Sequence, residues 1–305
     1  MGISEILGLL GGLALFLHGM QMMSSGLEAA AGNKMKRILE RLTSNRILGV
    51  VVGAVITAVI QSSSATTVMV VGFVNAGMMT LGQAVWIIMG ANIGTTVTGL
   101  LIALDVGELA PMFAFVGVVL MVFIKEPKLQ HIGQILAGLG VLFIGMGMMS
   151  SSMSPLRDSE PFIRIMSTFS NPLLGILAGA AFTAVIQSSS ASVGILQALA
   201  SSGVISYASS VFVLFGQNIG TCITAVLAAI GTNRNAKRAT LIHLMFNLIG
   251  TAIFTTLFVL FPIAAVVEGT LVLPGEVGRT LSHLIPTDPM AQIAMTHTVF
   301  NITTT

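Results

Sequence analysis

The stretch LGVVVGAVITAVIQSSSATT, Leu48–Thr67, places four consecutive polar residues inside an apolar run without charged side chains. The stretch LGILAGAAFTAVIQSSSAS, Leu174–Ser192, repeats it 126 residues later. The same offset pairs VWIIMGANIGTTVT, Val85–Thr98, with VFVLFGQNIGTCIT, Val211–Thr224, without a gap. A repeat of this length decides the architecture before any local pattern does. The chain therefore has two related halves, each with a QSSS segment followed by a NIGT segment.

The composition of the chain is that of a membrane protein. Apolar residues make up 54% of the 305 residues and charged residues only 8%, whereas soluble domains carry about 25% charged residues. Long apolar runs without strict alternation, such as Ile6–Leu17, favour transmembrane helices over a barrel. We predict an all-α polytopic protein that crosses the cell membrane several times. The net charge of +2 gives no indication of a nucleic-acid partner.

The charged loops predict that the two halves are inverted. The loop before the first QSSS segment, Lys34–Arg46, is rich in basic residues, whereas its counterpart, Arg157–Arg164, is balanced by acidic ones. After the NIGT segments the bias reverses, because Arg234–Arg238 is basic and the equivalent loop carries Asp105 and Glu108. Basic loops prefer the cytoplasmic side. Equivalent loops are therefore expected on opposite sides, as in the inverted repeats of secondary transporters.

This interpretation divides the chain into three parts. The first inverted repeat is predicted to span residues 1–130 and the second residues 131–261. Residues 262–305 are expected to form an external loop and an incomplete final transmembrane helix.

The QSSS segments predict two helical hairpins. Serine favours the first positions of a helix and disfavours its interior, so one arm should end near the Gln and the next should start at the serines. Helix N-termini bear partial positive charge and bind oxyanions. Two such N-termini, facing each other at membrane depth, would form one anion site. The alternative is that these serines only join helices by hydrogen bonds.

The NIGT segments predict a broken transmembrane helix in each half. Asn between glycines in an apolar run favours a local break, and freed carbonyls with Asn and Thr oxygens suit a sodium ion. The alternative is a tight helix crossing at the glycines, and the two roles are compatible.

Two histidines stand four residues before asparagines on predicted helices, His243 before Asn247 and His297 before Asn301. This spacing puts each pair on one helix face. Hydrogen bonding between helices explains them best, and a role in proton or phosphate handling is the alternative. No cysteine or carboxylate accompanies them, which argues against zinc.

The doubled QSSS and doubled NIGT motifs, in this order, resemble the type II sodium–phosphate cotransporter family over essentially the whole chain. The resemblance implies sodium-driven phosphate transport by alternating access and links the QSSS elements to substrate and sodium binding. The C-terminal soluble domain that many bacterial members add is not found in this sequence. Cys222 stands where the first half has Thr96, so the halves need not bind ions equivalently.

The predicted binding residues follow from these motifs and from the resemblance. The predicted phosphate ligands are Ser62, Ser63, Ser64, Ser188, Ser189 and Ser190. The predicted sodium ligands are Gln61, Thr66, Asn92, Thr95, Gln187, Ser192, Asn218 and Thr221. We expect phosphate, sodium and the lipid bilayer as partners, no cofactor beyond the coupling ions, and we consider a homodimer.

Three other functions compete with this one. One alternative is a transporter or passive pathway for another oxyanion, and a second is a membrane phosphate sensor that binds phosphate without transporting it. An intramembrane serine hydrolase is the remaining alternative, but neither QSSS motif has the GxSxG context or a base nearby in sequence.

Overall fold

The computed structural model describes residues 3–31, 45–104, 106–271 and 284–305, and all regular structure in these ranges is helical. Five helical stretches are long and apolar enough to cross a membrane. They are Ile3–Ala31, Leu81–Ile102, Pro127–Leu156, Tyr207–Ala228 and Arg234–Leu260. A sixth becomes possible if the bent pair Glu160–Thr168 and Pro172–Ile186, at 94°, is counted as one span. This is the helical, polytopic architecture that the sequence predicts.

The two hairpin arms and the NIGT helix follow one another in the same order in both halves. The first half contains α1 (Ile3–Ala31), α2 (Arg46–Ile60), α3 (Ser63–Asn75), α4 (Leu81–Ile102) and α5 (Ala110–Phe123). The second contains α6 (Pro127–Met153), α7 (Glu160–Thr168), α8 (Pro172–Ile186), α9 (Ser189–Ser201), α10 (Tyr207–Gly220), α11 (Cys222–Ala228) and α12 (Arg234–Leu260). The short helix α13 (Ile263–Val267) and helix α14 (Pro289–Thr304) follow. Two 3₁₀ turns, Gly107–Leu109 and Ser154–Asp158, join neighbouring helices.

Glycines bring the first arm of each hairpin into backbone contact with the NIGT helix of the same half. A Cβ added at Gly90 would lie 2.0 Å from the Val50 carbonyl oxygen, and one at Gly216 would lie 2.0 Å from that of Ile176. Gly94 meets Ala54 in the same way. These crossings, α2 on α4 and α8 on α10, fix the position of each hairpin along the axis of its NIGT helix.

The predicted break in the first NIGT segment is wrong. Helix α4 runs from Leu81 to Ile102 without interruption, because Gly90 and Gly94 serve the close crossing and Thr95 bonds back to the Ala91 carbonyl at 3.1 Å. In the second half the helix is interrupted only at Thr221, between α10 and α11. In the first half the sequence signal was therefore one of helix packing, whereas in the second half the interruption falls at the Thr of the motif, where a break was predicted.

The predicted membrane orientation of the loops stays a prediction. Most of the basic loop Lys34–Arg46 lies outside the described residues, and Arg46 itself begins α2. The division of the chain at residues 130 and 261 likewise stays a prediction.

Candidate functional site

The first hairpin turns at Gln61 and Ser62. Gln61 adopts the left-handed conformation, with φ 59°, and its N–H closes α2 on the Thr57 carbonyl. Ser62 is extended, and its hydroxyl accepts from the Ala65 N–H, which starts α3. Thr57 Oγ1 lies 3.0 Å from Thr66 Oγ1, whereas nine residues of straight helix would span about 13.5 Å. The chain therefore folds back at the Gln, as predicted.

The second hairpin reproduces this turn. Gln187 also has φ 59°, and its N–H closes α8 on the Thr183 carbonyl. The hydroxyl of Ser188 accepts from the Ala191 N–H and begins α9. Left-handed residues other than glycine are uncommon, and Gln61 and Gln187 are the only non-glycine examples within the described residues. The same strained turn in both halves makes two helix N-termini of the same shape.

The structure brings the two tips together. Ser63 Oγ lies 3.5 Å from Ser189 Oγ, and these residues are equivalent in the repeat. The contacts on either side of this pair are exchanged between the halves. Ser190 Oγ lies 3.3 Å from Thr98 Oγ1, and Ser64 Oγ lies 3.2 Å from Thr224 Oγ1. A self-paired residue flanked by exchanged pairs is the pattern of a two-fold axis, which passes here between Ser63 and Ser189.

The meeting point is polar, largely buried and without charged side chains. Ser63 is 3% exposed, Ser189 and Ser190 are also buried, and the other three predicted phosphate ligands are partly buried. Residues 47–104 and 171–230, which supply both tips and both NIGT helices, contain no Asp, Glu, Lys or Arg. Hydroxyls and the N-termini of α3 and α9 are therefore the groups available to an anion there. Such N-termini favour oxyanions without any fixed cation.

The predicted sodium ligands of the QSSS segments lie beside the tips. The side chains of Thr66 and Ser192 bond back to the carbonyls of Ser62 and Ser188, at 3.1 Å and 2.9 Å. The buried Gln61 accepts from the Thr98 hydroxyl, whereas Gln187 is exposed. The two halves thus share the turn but differ in how the Gln is packed.

The predicted sodium ligands of the NIGT segments lie farther from the serines. Asn92 precedes Thr98 by six residues on α4, which is about 9 Å along a helix axis. Thr95 and Thr221 bond to carbonyls of their own helices. Asn218 Oδ1 lies 3.3 Å from His297 Nε2 of α14. The structure therefore brings the serines of the two tips into direct contact, whereas these four residues lie on the neighbouring helix α4, on α10 and at its C-terminal end.

The motif analysis missed Thr98 and Thr224. Both are hydrogen-bonded to a serine of the opposite tip, and both end the repeated NIGT stretch quoted above. They were missed because each lies three residues after the last residue of its NIGT motif. The signal that identifies them is the equivalence of their positions at the offset of 126 residues.

Comparisons with known proteins relate the chain to one transporter family. The family model described as Na+/Pi-cotransporter matches residues 15–151 and 158–286. The uncharacterized protein YqeW of Bacillus subtilis is 31% identical over 299 residues, which cover 96% of this chain and 90% of that protein. No solved structure matches the chain.

Two further relatives have names that state a transported substrate. The putative inorganic phosphate export protein YjbB of Escherichia coli K12 is 28% identical over 249 residues, and the match covers 81% of this chain but 46% of YjbB. The human sodium-dependent phosphate transport protein 2B is 37% identical over 110 residues, 35% of this chain and 16% of that protein. Because the family model matches most of the chain, this chain belongs to the Na+/Pi-cotransporter family, a family of membrane transporters.

Proposed function

We propose that the chain is a secondary transporter that couples sodium to inorganic phosphate by alternating access and binds one phosphate between the two hairpin tips. The observation that carries the proposal is the exchanged pair of contacts around Ser63 and Ser189. A site on a two-fold axis is shared equally by both halves. If the axis lies in the membrane plane, the same site can be exposed to either side by equivalent movements of the two halves.

The chemistry of the tips fits phosphate. Phosphate has four oxygens, and a charged group that leaves water requires donors for each of them. The hydroxyls of Ser63 and Ser189 lie 3.5 Å apart, and the first turns of α3 and α9 begin at these serines and leave N–H groups without a partner in their own helix. We therefore assign phosphate binding to Ser62, Ser63, Ser64 and their equivalents, assisted by Thr98 and Thr224.

Sodium supplies the missing positive charge in this proposal. Two of the buried acceptors without a hydrogen-bond partner in the described residues, the Thr183 hydroxyl and Gln217 Oε1, belong to the crossing helices α8 and α10. Gln217 Nε2 donates to the Ser192 carbonyl at 3.0 Å. Oxygen acceptors close to Ser192 suit a sodium ion of the second half. In the first half the residues equivalent to Thr183 and Ser192 are Thr57 and Thr66, and their hydroxyls bond to each other.

The deciding experiment is uptake of radiolabelled phosphate by proteoliposomes that contain the purified protein. We expect uptake driven by a sodium gradient and abolished when choline replaces sodium. The gradient is imposed in both directions, because the names of the relatives include both sodium-dependent transport and export. Uptake of phosphate without any ion gradient would indicate a passive pathway instead. Binding without uptake in either direction would indicate a sensor.

A further inference from the structure

The histidine and asparagine pairs of α12 and α14 belong to a second repeat. The stretch HLMFNLIGT, 243–251, and the stretch HTVFNITTT, 297–305, share His, Phe, Asn and a final Thr at the same spacing. The offset here is 54 residues rather than 126. Asn247 Nδ2 donates to the His243 carbonyl at 3.0 Å, and Asn301 Nδ2 donates to the His297 carbonyl at 2.9 Å.

The contacts of α12 and α14 show that the two helices are partners across the same two-fold axis. Thr251 Oγ1 of α12 donates to the Phe215 carbonyl of α10 at 3.3 Å. Thr305 Oγ1, at the end of α14, donates to the Met89 carbonyl of α4 at 3.5 Å. Met89 and Phe215 are equivalent at the offset of 126 residues, so these two bonds are a symmetric pair. His243 is therefore the counterpart of His297, and Asn92 is the counterpart of Asn218.

The symmetry fails at the histidines. His297 Nε2 lies 3.3 Å from Asn218 Oδ1. Its counterpart His243 is 2% exposed, and neither of its ring nitrogens has a partner among the described residues. Asn92 Nδ2, on the helix α4 against which α12 packs, is likewise buried without a partner. A buried polar group without a partner is costly, so the α12–α4 contact holds unused hydrogen-bonding capacity where the α14–α10 contact has a bond.

We propose that the two histidines form alternating latches, which are hydrogen bonds to the asparagines of the NIGT segments. His297 bonds to Asn218 in the access state seen here, and His243 bonds to Asn92 in the opposite state. The inference rests on the proposed alternating access. An exchange of conformations between the halves would satisfy His243 and Asn92 while it releases His297. Each latch acts on a helix of a NIGT segment. Helix α4 carries both Asn92 and Thr98, whereas Asn218 lies on α10 and Thr224 on α11, which follows it directly after Thr221.

The latches are hydrogen bonds rather than ion pairs. Helices α4, α9, α10, α11 and α14 contain no acidic side chain, Lys or Arg. On α12 the only such residues, Arg234, Lys237 and Arg238, lie in its first turns, five or more residues before His243. Next to His243, Asn247 Nδ2 lies 3.4 Å from Cys222 Sγ.

The latch model predicts that the two histidines have opposite effects on one equilibrium. Ala65 is exposed at the first tip, whereas its equivalent Ala191 is 0% exposed at the second. Single cysteines at these positions, in a Cys222→Thr background, report the access state by their rates of reaction with a water-soluble maleimide. His297→Ala should lower the ratio of the rate at 65 to that at 191 by about tenfold, and His243→Ala should raise it.

Glutamine variants separate the latch from simple packing. The amide of the His297→Gln variant can donate to Asn218 Oδ1, so this variant should keep a ratio of labelling rates close to that of the protein with His297. Shifts of the same sign for His243→Ala and His297→Ala, or no shift in either, would overturn the latch. The labelling requires no transport, so a failure of the proposed function, seen as absent sodium-dependent uptake by the unsubstituted protein, is recognised independently.

Discussion

The two hairpin tips have the same backbone turn but different surroundings. At the first tip, Gln61 is 7% exposed and bonded to Thr98, and Ser24 of α1 donates to the Ile60 carbonyl at 2.6 Å. At the second tip, Gln187 is exposed. The arm α2 buries six residues, whereas the equivalent arm α8 buries three. A duplicated sequence thus fixes the local geometry twice, while the packing around it differs between the two halves.

The largest effect should come from the glycine crossings, which the halves share. Gly90→Ala and Gly216→Ala place a Cβ about 2 Å from a carbonyl oxygen, which should destabilise the protein by about 3 kcal/mol in each case. Gly72→Ala is the matched control, because nothing lies within 4 Å of its added Cβ. It should be stabilising by up to about 1 kcal/mol. Thermal unfolding in detergent measures all three, and a neutral Gly90→Ala would contradict the backbone contact.

The asparagines of the NIGT segments test whether both halves serve sodium. Asn92→Ala and Asn218→Ala should each weaken sodium dependence, since loss of one ligand to a desolvated cation costs about 1–3 kcal/mol. The measurement is the sodium concentration for half-maximal phosphate uptake. Phosphate affinity at saturating sodium is the internal control and should change little. Unchanged half-saturation in both variants would remove these residues from the sodium site.

The two threonines sharpen the difference between the tips. Thr98→Val and Thr224→Val should each weaken phosphate binding by about 1–2 kcal/mol, because each removes a hydroxyl beside a serine of the opposite tip. Only Thr98→Val should also lower the melting temperature, since Thr98 alone bonds to a buried Gln. Equal losses of stability in the two variants would show that the asymmetry at Gln61 is without consequence.

The smallest effect should distinguish the glutamines. Gln61→Ala removes a buried acceptor of the Thr98 hydroxyl and should destabilise the protein by about 1 kcal/mol. Gln187→Ala, at an exposed position, should change stability by less than about 0.5 kcal/mol. Unfolding of the two variants under the same conditions checks the order, and a larger loss for Gln187→Ala would reverse it.

The sequence was sufficient for the hairpins because their signal is local. Four polar residues in an apolar run, with serine's preference for helix starts, predict the turn at Gln61 and Ser62. The first NIGT segment was misjudged because glycine in a helix signals either a break or a close crossing, and only the neighbouring arm decides between them. Thr98 and His297 were not assigned partners for a similar reason. Their partners are distant in sequence, and an exchange of contacts across an axis becomes visible only in three dimensions.

The central claim is that Ser63 and Ser189 bind one shared phosphate. The most direct measurement is a double-mutant cycle of phosphate binding at saturating sodium, with Ser63→Ala, Ser189→Ala and the double variant, and with Ser167→Ala as an exposed control. Each single change should weaken binding by roughly 1–3 kcal/mol, and the two should be coupled by at least about 0.5 kcal/mol. If either single variant folds normally and binds phosphate like the parent, or if the two effects are strictly additive, the serines do not share one ligand and the account is wrong.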